Sequence, residues 1–208
     1  MILIGQYDSP FTRRVGIALR LYGLPFQHKP WSTFSDADKF RALNPLTRVP
    51  TLVLEKGDAL IDSHAILDYL DGLVPPEKAL FPRTEPARHQ ALKVAALASG
   101  FADKAVGLFY EKVLHQEVSA AWVARCTQQM LDTLAALEAD RAARKSTYWF
   151  GEAFGHADIV VATVLRHFSE AHPGFVDMKD YPALSAHAAR MEAMPVFQEI
   201  SQVFIAPA

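Results

Sequence analysis

The sequence predicts two domains of different class, a small mixed α/β domain followed by an all-helical domain. Three observations carry this prediction. Short apolar runs alternate with amphipathic helical stretches in the first third of the chain, a pattern typical of small α/β domains. Four prolines between Pro75 and Pro86 then mark a break. Beyond Arg88 the strand patterns stop, and long stretches rich in alanine and leucine predict helices.

The first domain opens with a predicted β-α-β unit. Ile2-Leu3-Ile4 predicts a short buried strand. Ser9 is a favoured N-cap and proline fits the first helical position, so a helix is predicted to begin at Pro10. Gly23 provides a C-cap for that helix. The second strand is predicted within residues 26–31.

The rest of the first domain is predicted as a short helix, a hairpin and a longer helix. The short polar helix covers residues 36–43. The apolar runs 51–54 and 59–61 flank a polar turn and predict two antiparallel strands. Asp62-Ser63 then caps the last helix. The predicted order is β-α-β-α-β-β-α, a small mixed sheet with helices packed on it.

The second domain is predicted as a helical bundle. We predict the domain boundaries as 1–76 for the mixed domain, 77–86 for a linker and 87–208 for the helical domain. The helical patterns of this last part cover residues 86–115, 118–144 and 157–171, with two shorter helices after Pro182 and Pro195.

Composition excludes several classes of function. A formal net charge of −2 provides no field that would attract nucleic acid or an acidic membrane surface. Cys126 is the only cysteine, which excludes an internal disulfide and an intramolecular dithiol couple. No apolar run approaches the length of a membrane span, and no histidine pattern predicts a metal site. The first residues lack a signal peptide's pattern, so we expect a soluble cytoplasmic protein.

Val49-Pro50 is the first candidate binding element. Taken alone, Pro50 is typical of a strand start, where a missing N–H is tolerated and a trans bond is the rule. A cis bond would instead turn the N–H and C=O of Val49 outward, where a peptide ligand would pair with them as an added strand. The local sequence favours the first interpretation.

Asp62-Ser63 is the second candidate. Both residues are good N-caps, and a helix N-terminus also binds anions through its free N–H groups and its dipole. The Ser63 hydroxyl and these N–H groups suit a carboxylate, while Asp62 suits an ammonium group. The pair therefore fits the zwitterionic head of an amino acid, and capping and binding are compatible.

Ser9 is the third candidate. Ser-Pro-Phe-Thr occupies the strand-to-helix turn where redox proteins of similar layout carry Cys-Pro-x-Cys. The local interpretation is an N-cap alone. The functional interpretation is that the Ser9 hydroxyl donates a hydrogen bond to a ligand's thiolate, and Tyr7 is an alternative donor of the same kind.

Four motifs together carry a resemblance to a known family. They are YDSPFTRRV at 7–15, NP with RVPTL at 44–52, DSHAILDYL at 62–70 and GHADI at 155–159. In order and spacing they resemble the cytosolic glutathione transferase (GST) superfamily, in its bacterial, serine-type form. The resemblance covers nearly the whole chain. It implies a thioredoxin-like N-terminal domain, a helical C-terminal domain and a homodimer.

The resemblance also implies roles for the candidate residues. The proline matching Pro50 is cis, and Val49 pairs with the cysteinyl backbone of glutathione. Asp62-Ser63 holds the γ-glutamyl head, and Ser9 activates the thiol. One departure is Gly155, where the family usually has serine or threonine, so that Asp158 keeps only half of a capping box. Another is that the residues around Ser9 lack the Ser-Ser-Cys pattern of the zeta-type isomerases, which leaves a maleylacetoacetate isomerase activity unsupported.

The resemblance finally implies an enzyme that uses glutathione as co-substrate and conjugates its thiolate to a small apolar electrophile. The electrophile pocket is expected between the domains, with four aromatic residues as candidate walls: Phe11, Phe101, Phe109 and Tyr110. Lys39 or Arg48 is a candidate for holding the glycyl carboxylate. The alternatives are a non-catalytic protein of this fold that binds ligands or docks a partner, and a glutathione-dependent peroxidase or reductase.

Overall fold

The computed structural model describes residues 1–206, and the chain divides into two compact units. The first unit consists of Met1–Arg83 and the C-terminal segment that begins at Ala193. The second unit is Thr84–Glu192. The first unit thus extends past residue 76, and it includes a segment that the sequence analysis assigned to the helical domain.

A four-stranded mixed sheet forms the centre of the first unit. Its strands lie in the order β2-β1-β3-β4, with β1 parallel to β2 and antiparallel to β3, and with β3 antiparallel to β4. This is the thioredoxin-like arrangement that the resemblance implies, so the predicted fold of this part is confirmed. The elements are β1 (Ile2–Ile4), α1 (Pro10–Leu21), β2 (Gln27–Lys29), α2 (Ala37–Arg41), β3 (Thr51–Val53), β4 (Ala59–Ile61), α3 (Ser63–Gly72) and, near the C-terminus, α8 (Pro195–Glu199).

Helix α1 packs against α3 and lies next to β1. Its apolar residues Val15 and Leu19 are fully buried, as are Leu3 of β1 and Leu70 of α3. Full burial of each such side chain contributes about 1.5–3 kcal/mol relative to exposure. Burial of this face fixes α1, and therefore its N-terminus, against the sheet.

The C-terminal segment belongs to the first unit because a buried arginine of α1 holds it. The Arg13 guanidinium donates from Nε to the Ile200 carbonyl at 2.8 Å and from Nη2 to the Phe197 carbonyl at 2.8 Å. Phe197 is itself fully buried. A buried guanidinium is tolerated only when it is hydrogen-bonded, so these carbonyls are needed where they lie. The predicted extension of the helical domain to residue 208 overlooked this tether.

The regular elements of the second unit are helices, and its described residues contain no strand longer than the isolated bridge between Tyr148 and Gly151. The α-helices are α4 (Ala87–Leu114), α5 (Ala120–Ala142), α6 (His156–Ala171) and α7 (Pro182–Glu192). Helix α6 is buried on nearly every side, as expected for the central helix of a bundle. Helix α4 packs against both α5 and α6, and α7 packs against α5 and α6. The predicted helical C-terminal part is confirmed.

Asp158 fixes the start of α6. One carboxylate oxygen accepts the Gly155 N–H at 2.9 Å, and the other accepts the Trp149 N–H at 2.8 Å. Gly155 has no side chain with which to return the bond, so the structure contains the half capping box that the sequence indicates. The carboxylate compensates by holding the loop before α6 through Trp149.

Candidate functional site

Ser9 is the N-cap of α1. Its backbone is extended, with φ −69° and ψ 123°, and its Oγ accepts the Thr12 N–H at 3.4 Å. A hydroxyl has one donor and two acceptor positions. The long capping bond uses only an acceptor position, and the Ser9 O–H stays available as a donor at the positive end of the helix dipole.

Tyr7, the alternative donor, lies in a different environment. Its ring stacks on His28, with centroids 3.8 Å apart and planes 11° apart. A Cβ on Gly16 would approach Tyr7 Cε1 to 2.8 Å, so glycine is needed there for the ring to lie over α1. Burial raises the pKa of Tyr7 to about 12, and Arg20 and Glu199 act on it to smaller extents in opposite directions. Arg20 lies in the last turn of α1. The phenol thus faces the C-terminal half of α1, whereas Ser9 lies at its N-terminus.

Val49-Pro50 is a cis peptide and leads directly into β3. The cis form that the resemblance implies is confirmed, and the trans interpretation from the local sequence is wrong. Gly5, with φ +132°, lies against this segment: a Cβ there would lie 2.9 Å from Val49 Cβ and 2.6 Å from Thr12 Oγ1. Glycine at position 5 therefore allows Val49 to approach the loop between β1 and α1.

The main chain of Val49 forms no hydrogen bond to another residue within 1–206. Unpaired N–H and C=O groups beside a strand are a template for pairing with an added peptide. Asn44, fully buried, holds the loop that ends at Val49: its side-chain N–H groups donate to the Arg48 carbonyl at 3.0 Å and to Thr51 Oγ1 at 3.1 Å. These two hydrogen bonds from Asn44 thus fix the position of the loop that ends at Val49.

Asp62-Ser63 begins α3, and its two side chains have different surroundings. Asp62 is exposed, and its Oδ1 accepts the His64 N–H at 2.8 Å. Its φ of +68° lies in a region that non-glycine residues seldom adopt; such conformations concentrate at ligand sites. Ser63 is buried, and its Oγ accepts a hydrogen bond from Arg14 Nη2. The pair thus offers an exposed carboxylate beside a buried hydroxyl.

Arg14 is the residue of this site that the sequence analysis did not single out. It is 1% exposed, and its guanidinium connects α1 to the first residue of α3. Its Cζ also lies 5.7 Å from the centroid of the Phe11 ring. The available signal was the adjacent pair Arg13-Arg14 inside a helix that is otherwise mostly apolar, since two neighbouring long cations in such a stretch need acceptors.

The two candidate cations for a glycyl carboxylate lie at the surface. Lys39 Nζ pairs with Asp36 Oδ1 at 2.6 Å and lies 5.6 Å from the centroid of the Trp31 ring. Arg48 is exposed and adjoins Val49 in the chain. An exposed pair such as Lys39–Asp36 contributes little to stability.

The candidate walls of the electrophile pocket differ in burial. Phe11 is half-buried near the start of α1. Phe101 is buried in the second unit, with its ring centroid 4.9 Å from that of Phe168 in an edge-to-face contact. Phe109 and Tyr110 are partly buried, with centroids 6.2 Å apart. Phe101 has the surroundings of a core residue, and the pocket stays a prediction.

The described part of the chain offers no sign of a metal centre or a membrane span. No group of three His, Cys, Asp or Glu side chains among residues 1–206 is arranged to hold a metal ion. None of the helices in the same range is both long and apolar enough to cross a membrane.

Two family models match this chain. Residues 3–78 match the model described as glutathione S-transferase, N-terminal domain, and residues 120–190 match the model described as glutathione S-transferase, C-terminal domain. The chain belongs to the glutathione S-transferase superfamily. The two matches cover the sheet with its flanking helices in the first unit and most of the bundle in the second.

Curated relatives of this GST-superfamily chain include two bacterial proteins. The GST-like protein YibF of Escherichia coli K12 is 34% identical over 103 residues, which is 50% of each chain. The maleylacetoacetate isomerase of Pseudomonas aeruginosa is 39% identical over 102 residues, 47% of this chain and 48% of the relative. The chain thus matches about half the length of these two relatives.

A solved structure extends the likeness to the whole fold. The glutathione S-transferase from Methylobacterium radiotolerans, crystallised in complex with glutathione sulfonate, is 29% identical to this chain and superposes with a TM-score of 0.89. The match covers 100% of this chain and 98% of that one.

Proposed function

We propose that this protein is a glutathione transferase that binds glutathione in its first unit and attacks a small apolar electrophile with the glutathione thiolate. Three findings together support the proposal. Gly5 approaches the side chain of Val49 closely, so that Val49, whose main chain is unpaired, lies against the loop that precedes Ser9. The Arg14–Ser63 hydrogen bond joins α1 to the start of α3. The solved relative from M. radiotolerans carries a glutathione derivative.

Each part of glutathione has a complementary group. The cysteinyl main chain of the tripeptide pairs with the N–H and C=O of Val49, as in strand addition. The γ-glutamyl carboxylate binds at the start of α3, where Ser63 and the helix N–H groups lie. The γ-glutamyl ammonium binds the exposed carboxylate of Asp62. Arg48 or Lys39 holds the glycyl carboxylate.

Ser9 stabilises the thiolate. Lowering a thiol pKa by two units takes about 2.7 kcal/mol. A hydrogen bond to a charged group contributes about 1.5–3 kcal/mol, and the helix N-terminus adds about 0.3–1 kcal/mol. A Ser9 hydroxyl at the start of α1 would therefore supply enough free energy to lower the thiol pKa by that amount.

The reaction follows from placing the two substrates together. The thiolate forms a carbon–sulfur bond with the electrophile and displaces a leaving group or opens a strained ring, with no metal needed. Holding both reactants in a near-attack arrangement supplies much of the acceleration. The aromatic walls Phe11, Phe101, Phe109 and Tyr110, and the homodimer, remain predictions that accompany this proposal.

Substitution of Ser9 tests the proposal directly. In Ser9→Ala, we expect the pKa of enzyme-bound glutathione, followed by thiolate absorbance, to rise by about one to two units, and turnover at neutral pH to fall about 10–100-fold. Glutathione affinity, measured by calorimetry at a pH below the pKa of the bound thiol, should stay unchanged. Ser9→Gly is the matched control for capping, because glycine caps a helix nearly as well as serine. It should lose turnover as Ser9→Ala does while keeping more stability.

An unchanged thiol pKa and turnover in both variants would show that Ser9 is only a cap, and Tyr7→Phe would then be compared. Failure of the wild-type protein to bind glutathione would overturn the proposal as a whole.

A non-catalytic role is the second candidate, and one observation favours it. Ser9 Oγ already accepts the Thr12 N–H, which is sufficient to explain a serine at this position. Glutathione binding without turnover of aryl halides, epoxides and isothiocyanates would support this candidate. Turnover of a peroxide alone would support the glutathione-dependent peroxidase alternative.

A further inference from the structure

His28, in the edge strand β2, contacts two points of the turn that joins β1 to α1. Its Nε2 lies 2.7 Å from the Gly5 carbonyl oxygen, and its ring stacks on that of Tyr7 with centroids 3.8 Å apart. A carbonyl oxygen only accepts hydrogen bonds, so Nε2 carries the hydrogen and donates it. Gly5 opens the turn, and Tyr7 lies two residues before Ser9. One side chain thus holds the segment that leads to the proposed thiol-activating hydroxyl.

The first contact fixes the part of the turn that Val49 approaches. The Gly5 N–H donates to the Lys29 carbonyl at 2.9 Å, and the Gly5 carbonyl accepts from His28, so β2 engages both polar main-chain groups of this glycine. A Cβ on Gly5 would lie only 2.9 Å from Val49 Cβ. Any displacement of Gly5 therefore changes the spacing between Val49 and the N-terminus of α1.

The second contact determines where the Tyr7 ring lies. The Tyr7 and His28 rings are within 11° of parallel, and a Cβ on Gly16 would approach Tyr7 Cε1 to 2.8 Å. The Tyr7 N–H also donates to Gln202 Oε1 at 3.3 Å. Gly16 lies about two helical turns along α1 from Ser9. The stack thus keeps the Tyr7 ring beside the middle of α1, away from the helix N-terminus.

We propose that His28 is a positioning residue for thiol activation, whose two contacts hold the turn so that the hydroxyl of Ser9, and not the phenol of Tyr7, meets the glutathione sulfur. The inference rests on the proposed function, in which Ser9 stabilises the thiolate. His28 acts through the turn and does not touch the sulfur. Misplacement of a reacting group by about 1 Å costs up to about 100-fold in rate, so a small shift of the turn is sufficient to weaken catalysis.

Three substitutions of His28 separate its contacts. His28→Gln keeps an N–H donor for the Gly5 carbonyl, His28→Phe keeps a ring for the stack on Tyr7, and His28→Leu keeps neither. In His28→Leu we expect the pKa of enzyme-bound glutathione, followed by thiolate absorbance, to rise by about one unit and kcat at neutral pH to fall about tenfold. Each of the other two variants should show about half of that rise in pKa. Glutathione affinity, measured by calorimetry below the pKa of the bound thiol, should stay within about twofold of wild type in all three.

His172→Leu is the matched control. His172 Nε2 also donates to a main-chain carbonyl, that of Ala105 at 2.8 Å, and its ring contacts those of Phe109 and Phe168, but it lies in the second unit. It is buried, whereas His28 is half-buried. His172→Leu should therefore lower the free energy of unfolding at least as much as His28→Leu does, and leave the pKa of bound glutathione as in wild type.

Each contrary outcome points to one hypothesis. If Ser9→Ala raises the pKa of bound glutathione but His28→Leu does not, the positioning proposal is overturned and the proposed function stands. If His28→Leu and His172→Leu raise that pKa equally, a general loss of stability is the cause, and the positioning proposal is again overturned alone. If wild type binds no glutathione, the proposed function is overturned, and the positioning proposal with it.

Discussion

Helices α3 and α6 each have an aspartate at the N-terminal end, Asp62 as the N-cap of α3 and Asp158 as the third residue of α6, and the two carboxylates are used in opposite ways. Asp62 at the start of α3 is exposed and accepts one hydrogen bond, from the His64 N–H. Its other oxygen accepts none from the residues that the structure describes. Asp158 in the first turn of α6 is 1% exposed, and its two oxygens accept the N–H groups of Gly155 and Trp149.

The same residue type near a helix N-terminus thus has a proposed binding role in Asp62 and a structural role in Asp158. A carboxylate whose oxygens are both engaged inside the protein has little capacity for a ligand. An exposed carboxylate with an oxygen to spare, placed by an unusual backbone conformation, is ready to accept an ammonium group. Substitution of each aspartate tests whether the two roles separate.

The largest effect is expected at Asp158. In Asp158→Ala the N–H groups of Gly155 and Trp149 lose their acceptor inside the second unit, and each unsatisfied buried donor costs about 1–3 kcal/mol. We expect the free energy of unfolding, measured by urea denaturation, to fall by about 4 kcal/mol. Asp132→Ala, at an exposed position of α5, should change it by less than about 0.5 kcal/mol.

A loss of stability at Asp158 no larger than that at Asp132 would contradict the structural role. The comparison also requires that any folded Asp158→Ala protein keep wild-type affinity for glutathione, because the carboxylate has no place in the proposed binding site.

A smaller effect is expected at Asp62, where substitution should weaken glutathione binding and leave the stability of the protein unchanged. Asn is as good an N-cap as Asp, so Asp62→Asn removes the charge and keeps the cap. We expect glutathione affinity, measured by calorimetry, to fall about tenfold, because a charge-assisted hydrogen bond to the ammonium group is lost. The free energy of unfolding should change by less than about 0.5 kcal/mol. Unchanged affinity would show that Asp62 is only a cap.

Much of the fold was predictable because local chemistry determines the element boundaries. Ser9-Pro10 predicts the start of α1, and the structure begins the helix at Pro10. The hairpin strand predicted over 59–61 is β4 as observed. The helical pattern predicted over 157–171 is α6 apart from one residue at its start. Caps, prolines and apolar periodicity are encoded in neighbouring residues, so a sequence shows them directly.

The contacts that assemble the site were not predictable in the same way. Arg14 and Ser63 are 49 positions apart, and Tyr7 and Gln202 are 195 apart. Neither pair has a local pattern, because each depends on how the helices pack and where the chain returns. Pro50 illustrates the same limit. The local sequence favoured a trans bond, and the cis form that the structure shows was implied only by the family resemblance that four motifs carry together.

The smallest expected effect concerns pH and the histidine beside Asp158. His187 is 1% exposed, its Nδ1 lies 3.8 Å from Asp158 Oδ1, and its ring meets that of Trp149 edge to face. Burial lowers the pKa of His187 below its usual value, and the nearby Asp158 carboxylate opposes that shift to a smaller extent. Arg141 and Arg190 add a weak lowering.

The sign of the pH dependence follows from this lowered pKa. The unfolded chain binds a proton at His187 near pH 6.5, and the folded protein binds it only at lower pH. Below about pH 6.5 the unfolded state therefore holds more protons, and stability falls as the pH falls. In His187→Gln this contribution is absent, so the loss of stability between pH 7.5 and pH 5 should be shallower than in wild type. His89 is exposed, and in His89→Gln the dependence of stability on pH should follow that of wild type. If stability fell more steeply toward pH 5 in His187→Gln than in wild type, attraction to Asp158 would outweigh burial in setting the pKa of His187. The Asp158 carboxylate would then stabilise the protonated histidine in addition to accepting its two hydrogen bonds.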